Sequence, residues 1–135
     1  MNLTALLLVG SGGALGAIAR YALSLALPRQ AQGLPYATLL ANVLGCLLMG
    51  AILQWLANAD WANGTALRDE PYRLLFAVGF CGSFTTLSAL VFEMSAMLQR
   101  NEVLSAFGYL LASVLGGLLC FYLGVIAVRT LTTGA

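Results

Sequence analysis

Gly79-Phe80-Cys81-Gly82-Ser83-Phe84-Thr85-Thr86-Leu87-Ser88 sits in the middle of an apolar stretch from about Tyr72 to Leu98. That stretch is long enough to cross a bilayer, which takes about 20 residues of helix. Two glycines and four hydroxyls in ten positions disfavour a continuous helix. The segment therefore predicts a membrane-spanning helix broken between Gly82 and Thr86. Non-helical backbone at that depth survives only when buried in protein or lining a wet cavity. Carbonyls freed there can hold a cation, as the broken helices of transporters do. The plainer alternative is a kink whose polar groups are satisfied by the Ser and Thr side chains.

The rest of the chain agrees with a membrane setting. Of 135 residues, 61% are hydrophobic and 8% charged, against about 25% charged in a soluble domain. Mean hydropathy is +0.92. Four stretches qualify as spans, at about Leu3–Leu27, Leu34–Ala57, Tyr72–Leu98 and Val103–Val128. The expected fold is an all-α membrane protein, a single four-helix transmembrane domain over residues 1–135 with its third helix broken. The N-terminus lacks a basic region and a polar cleavage site, so it reads as a retained first span. Pro28 to Gly33 closes that span, and Pro35 suits the first turn of the second. The longest loop, Asn58 to Pro71, holds Asp60, Arg68, Asp69 and Glu70, and Arg100-Asn101-Glu102 joins spans three and four.

Six Arg, five acids and neither Lys nor His leave no basic patch for nucleic acid. They also leave no acid–base pair for an enzyme and no ordinary transition-metal site. Cys46, Cys81 and Cys120 lie in apolar stretches and read as buried free thiols. With four spans, both termini share one side. That side carries Arg68, Arg73 and Arg129, and the other carries Arg20, Arg29 and Arg100. Arg and Lys excess normally fixes orientation; a balance of three against three leaves the chain able to insert either way. Small residues recur at four-residue spacing: Gly12 and Gly16, Cys46 and Gly50, Gly108 with Ala112 and Gly116, Cys120 and Gly124. Such faces let helices approach closely in lipid, within one chain or between copies.

Polar groups in the spans are costly and mark candidate sites. Arg20 reads either as a snorkelling anchor or as a buried cation holding a helix end. Thr38 and Asn42 share a face of span two, and Asn42 either ties helices together or offers its amide to an anion in a wet passage. Glu93 reaches an interface, pairs with Arg20 or Arg100, or carries a proton. Tyr109 and Ser113 share a face of span four, as belt residues or as part of a polar track with Thr38 and Asn42.

At these residues the chain resembles the Fluc (CrcB-type) family of bacterial fluoride channels over nearly its whole length. Gly12-Gly13-Ala14-Leu15-Gly16-Ala17-Ile18-Ala19-Arg20-Tyr21 is similar to the family's first-span signature GGxxGAxxRY. Thr38 to Gly45 resembles the second-span motif, residues 79–88 the GFCGGxTTFS break, and Tyr109 and Ser113 the fourth-span polar positions. The resemblance implies a bacterial inner-membrane, multi-pass protein that exports fluoride passively. It implies an antiparallel, dual-topology homodimer with two pores, each lined by both subunits. It also implies a structural sodium ion at the centre, held by main-chain carbonyls at Gly82 and Thr85. Asn42, Thr38, Ser88, Tyr109 and Ser113 match pore-lining positions, and Arg20 and Glu93 match structural or vestibule positions.

Two departures stand out. The family reads TTFSTF where this chain reads Thr85-Thr86-Leu87-Ser88-Ala89-Leu90, so Leu87 and Leu90 replace the pore phenylalanines. A Leu has no positive ring edge to offer an anion. A later fourth-span hydroxyl is Gly117. Phe80, Phe84 and Phe92 lie on the same span as the lost rings. Besides the fluoride channel, two alternatives remain open: a non-conducting or altered-selectivity subunit needing a heteromeric paralogue, and a small proton-coupled multidrug transporter. The latter needs an acid in its first span, and this first span has none.

Overall fold

The computed structural model describes residues 2–27, 33–63 and 70–133, with the side chains of 59–63 and 133 excepted. The loop from Pro28 to Gln32, with Arg29, falls outside the described residues, as do Arg68 and Asp69 and the side chain of Asp60. Every regular element among the described residues is a helix. Helix α1 is Leu3–Ala26, α2 is Tyr36–Asn63, and span three begins with α3, Glu70–Tyr72. It continues as a π-helix over Arg73–Cys81, closes with the α-turn α4, Gly82–Phe84, and resumes as α5, Leu87–Gln99. Helix α6 is Val103–Thr133. Four helical stretches are long and apolar enough to cross a membrane: Leu3–Ala26, Tyr36–Asn58, Glu70–Gln99 and Val103–Thr132.

Local chemistry sets the boundaries. Asn2 caps α1 through Oδ1, which accepts from the Thr4 N–H at 3.2 Å. Helix α2 starts one residue after Pro35, whose carbonyl accepts from Leu39 N. The α5–α6 corner is a Schellman turn. Asn101 adopts φ 60°, Asn101 N donates to Leu98 O, and Glu102 N donates to Met97 O. Asn is one of the few side chains that tolerates this left-handed position. Both α2 and α6 run several residues beyond the expected span ends at 57 and 128, because no breaker interrupts either sequence there.

Packing is pairwise and runs through glycine. A Cβ on Gly12 would fall on the Leu75 carbonyl, and one on Gly16 on the Phe80 carbonyl. From the other side, a Cβ on Gly79 would lie 2.8 Å from Val9 O. Helix α1 and the π-helix thus touch backbone to backbone. Helices α2 and α6 do the same, with Gly50 under the Phe121 backbone and Gly124 against the Leu47 carbonyl. The stripe Gly108–Ala112–Gly116 is different: Gly108 has nothing within 4 Å and Ala112 is exposed. Most other side chains on the outer faces are apolar and exposed, such as Leu104 on α6 and Ile18 on α1, as a lipid-facing surface requires.

The three thiols are free, but only Cys81 is fully buried; Cys46 and Cys120 are half-buried. The expectation of three buried thiols is corrected at those two positions. Both lie along the α2–α6 contact, where glycine brings the backbones together and leaves the flanking side chains room.

Candidate functional site

The break in span three is two residues long. Thr85 (φ −81°, ψ 153°) and Thr86 (φ −153°, ψ 118°) are extended, whereas Gly82 keeps helical angles of −62° and −30°. The break is therefore narrower than the expected Gly82–Thr86. It removes four rungs of the i to i−4 ladder, those that would run from the N–H groups of 86–89 to the carbonyls of 82–85. At membrane depth each orphan needs a new partner.

Side chains supply several of them. Asn42 on α2 accepts from Thr86 N at 2.8 Å through Oδ1 and donates from Nδ2 to Thr86 O at 3.4 Å. Arg20 on α1 donates from Nε to Ser83 O at 3.3 Å. Thr86 Oγ1 accepts from Ala89 N at 3.2 Å, capping α5, and lies 3.1 Å from Ser88 Oγ. Thr85 turns back, its N–H and its hydroxyl both donating to Cys81 O at 3.0 and 2.9 Å. The carbonyls of Gly82 and Thr85 are thus separated from their helical donors, since Thr86 N has gone to Asn42 and Ala89 N to Thr86 Oγ1.

Arg20, half-buried, holds a helix end, and Asn42 ties α2 to the break. Arg100 forms a two-point ion pair with Glu102, at 2.9 and 3.0 Å. Glu93 is buried at 7% exposure. Its carboxylate accepts from Thr38 Oγ1 at 2.8 Å and from Tyr109 OH at 2.6 Å. Spans two, three and four meet at that carboxylate, above a small core of Leu90, Met97 and Ala106.

Beside the break an open groove of about 440 Å³ runs between α2, α5 and α6. Asn42, Thr85, Leu87, Leu90 and Ser113 line it, together with Cys46, Gly117 and Phe121. Ser113 is 6% exposed, and its Oγ has no hydrogen-bond partner among the described residues. The replaced ring positions diverge: Leu87 is 72% exposed and Leu90 only 3%. Thr38, Ser88, Tyr109, Gly82, Arg20 and Glu93 are not part of the groove lining. Phe80 and Phe84 stack on each other with centroids 5.7 Å apart, and Phe92 is exposed, so none of these three lines the groove. Phe121 and Cys46 do, and sequence reasoning missed them. The signal available was their four-residue steps, from Asn42 to Cys46 and from Ser113 through Gly117 to Phe121.

Among the described residues no three His, Cys, Asp or Glu side chains gather as a metal site. A hard cation here would have main-chain and hydroxyl oxygens to bind, since the carbonyls of Gly82 and Thr85 have lost their helical donors.

Comparison with known proteins gives a consistent result. Residues 7–125 match the family described as CrcB-like protein, Camphor Resistance (CrcB). The chain is 45% identical over 126 residues to the fluoride-specific ion channel FluC of Prosthecochloris aestuarii, covering 93% of this chain and 94% of that one. It is 42% identical to the protein of that name from Gloeobacter violaceus, over 92% and 95% of the two chains. For the one from Phenylobacterium zucineum it is 43% identical, over 93% and 95%. With the family pattern matched from the first span to the fourth, and these identities running nearly end to end, the chain belongs to the CrcB family.

Proposed function

We propose that this protein is a fluoride-specific channel that lets fluoride leave the cytoplasm down its gradient across the bacterial inner membrane. The observation that carries the reading is the 45% identity, over more than nine-tenths of both chains, to a protein named for that activity. The groove fits the task. Fluoride is small and tightly hydrated, so a selective path must replace its water with close donors in a passage closed to larger ions. Asn42 brings an amide and Ser113 a buried hydroxyl without a partner, within walls that are otherwise largely apolar. A desolvated anion is held strongly there because no water competes for the donors.

The working unit in this reading is an antiparallel homodimer. Its support is the balance of three arginines on each side, the exposed small-residue stripe at Gly108 and Ala112, and the openness of the groove. The exposure of Leu87 fits a position that meets a second subunit. Thr38, Glu93 and Tyr109 then form a polar track beside the groove, and Ser88 stands at its break end. A sodium ion would be held by the Gly82 and Thr85 carbonyls, with Gly82 exposed on the subunit's surface. When bound, it would supply positive charge beside the anion path. Arg20 and Asn42 hold the two sides of the break in place for it.

The second reading, a subunit that needs a paralogue, is favoured by one feature: Leu87 and Leu90 give the groove no ring on span three. Fluoride efflux from liposomes holding the purified, folded protein alone tests both. Rapid fluoride loss with chloride retained supports the channel. No loss moves the reading to a heteromer, to be tested with a partner bearing both rings.

A further inference from the structure

In the groove two helix faces meet rung by rung. Asn42 and Cys46 stand four apart on α2, and Ser113 and Gly117 four apart on α6, so each pair shares a face. All four line the groove. A buried hydroxyl without a partner, as at Ser113, is costly unless something comes to meet it. Gly117 has no side chain to offer at the next rung, and the room one would need is already taken. Cys46 Sγ lies 3.1 Å from the place of a Gly117 Cβ. The thiol of α2 therefore fills the space left open on α6.

We propose that Cys46 is an anion-binding residue of the groove, its S–H facing the passage at the rung where Gly117 supplies no donor. The proposal rests on the channel reading for its ligand, fluoride, but not for its geometry. A thiol is a weak donor on a polarizable, otherwise apolar group. It suits a rung that must touch a passing anion without trapping it. Cys81 is fully buried, and neither Cys81 nor Cys120 lines the groove, which sets Cys46 apart among the three.

The test uses the whole protein in liposomes. A small methanethiosulfonate reagent forms a mixed disulfide with an accessible thiol, releasing methanesulfinate, and mass spectrometry locates the adduct. Cys46 should label faster than Cys81, and fluoride, unlike gluconate, should slow that labelling. Cys46→Val should lower fluoride efflux roughly three- to tenfold, the worth of one hydrogen bond, while Cys46→Ser, which keeps a donor, should retain it. If the wild type passes no fluoride yet Cys46 labels and fluoride protects it, the residue assignment stands and the channel reading falls. If fluoride passes but Cys46 labels no faster than Cys81, or shows no protection and Cys46→Val conducts like wild type, the assignment is overturned and the channel reading stands.

Discussion

Asn42 holds both main-chain polar groups of Thr86, accepting from its N–H and donating to its carbonyl. A primary amide presents an acceptor and a donor side by side and so mimics a neighbouring strand. Removing it leaves a peptide group unsatisfied in the middle of the membrane. Asn42→Ala should destabilise the folded protein by about 1–3 kcal/mol, read as a lower unfolding temperature in detergent. Asn42→Asp keeps the acceptor but sets a carboxylate against the Thr86 carbonyl, and should abolish fluoride efflux as well.

The junction at Glu93 gives a second expectation. Tyr109→Phe removes the phenol's hydrogen bond to the carboxylate while preserving the ring's burial. The loss should be about 1–3 kcal/mol, with a marked fall in fluoride flux. Thr38→Val should be milder, since Thr38 is only half-buried. A Tyr109→Phe protein with wild-type stability and flux would show that the carboxylate is held by other contacts.

Glycine substitutions should divide sharply. Gly12→Ala and Gly16→Ala each drive a methyl group into a backbone carbonyl of the π-helix, which cannot rotate away. Each should cost about 1–3 kcal/mol or more. Gly108→Ala meets nothing within 4 Å and should be neutral, or stabilising by about 0.5–1 kcal/mol through helix propensity. Thermal unfolding of the three variants side by side checks this. If Gly108→Ala leaves the monomer's stability intact but weakens self-association, the exposed stripe is a contact between copies.

Restoring rings should have opposite structural consequences at two neighbouring sites. Leu87→Phe points from an exposed position and should leave stability unchanged, whereas Leu90→Phe adds a ring at a buried one and should cost about 1–3 kcal/mol. Efflux measured alongside stability separates a gain in conduction from damage to the fold.

Outside the spans, the Arg100 guanidinium bonded to Glu102 holds that carboxyl below the usual glutamate range. A depressed folded-state pKa contributes stability above the ordinary value of about 4.3, and this is lost as pH falls through the lower folded value. Both groups are exposed, so the effect is small and screened by salt. Glu102→Gln should flatten a shallow decline in stability below that range, seen in low-salt melts.

Much of this was legible from residue types alone. The hydroxyl and glycine density at 79–88 announces a broken span, because so many weak helix formers in ten positions disfavour an unbroken helix. The location of the break at Thr85–Thr86 was not legible, since Gly82 is equally able to break a helix and stays helical. Arg20 illustrates the harder limit. Its partner is the main-chain carbonyl of Ser83, and a carbonyl leaves no mark on the residue type that carries it. The π-helical winding of 73–81 is hidden for the same reason. It is met by glycines on both sides of the contact with α1, and those glycines read in sequence as ordinary helix packing.

The two clasps on the break come from the first and second spans, while the break lies in the third. A chain made from its N-terminus delivers both clasps to the membrane before the segment they close. The third span therefore need never sit in lipid with its rungs open and unanswered. Its kinked shape is cast against a surface already waiting, and a chain missing its first span would have to form the same kink without that mould.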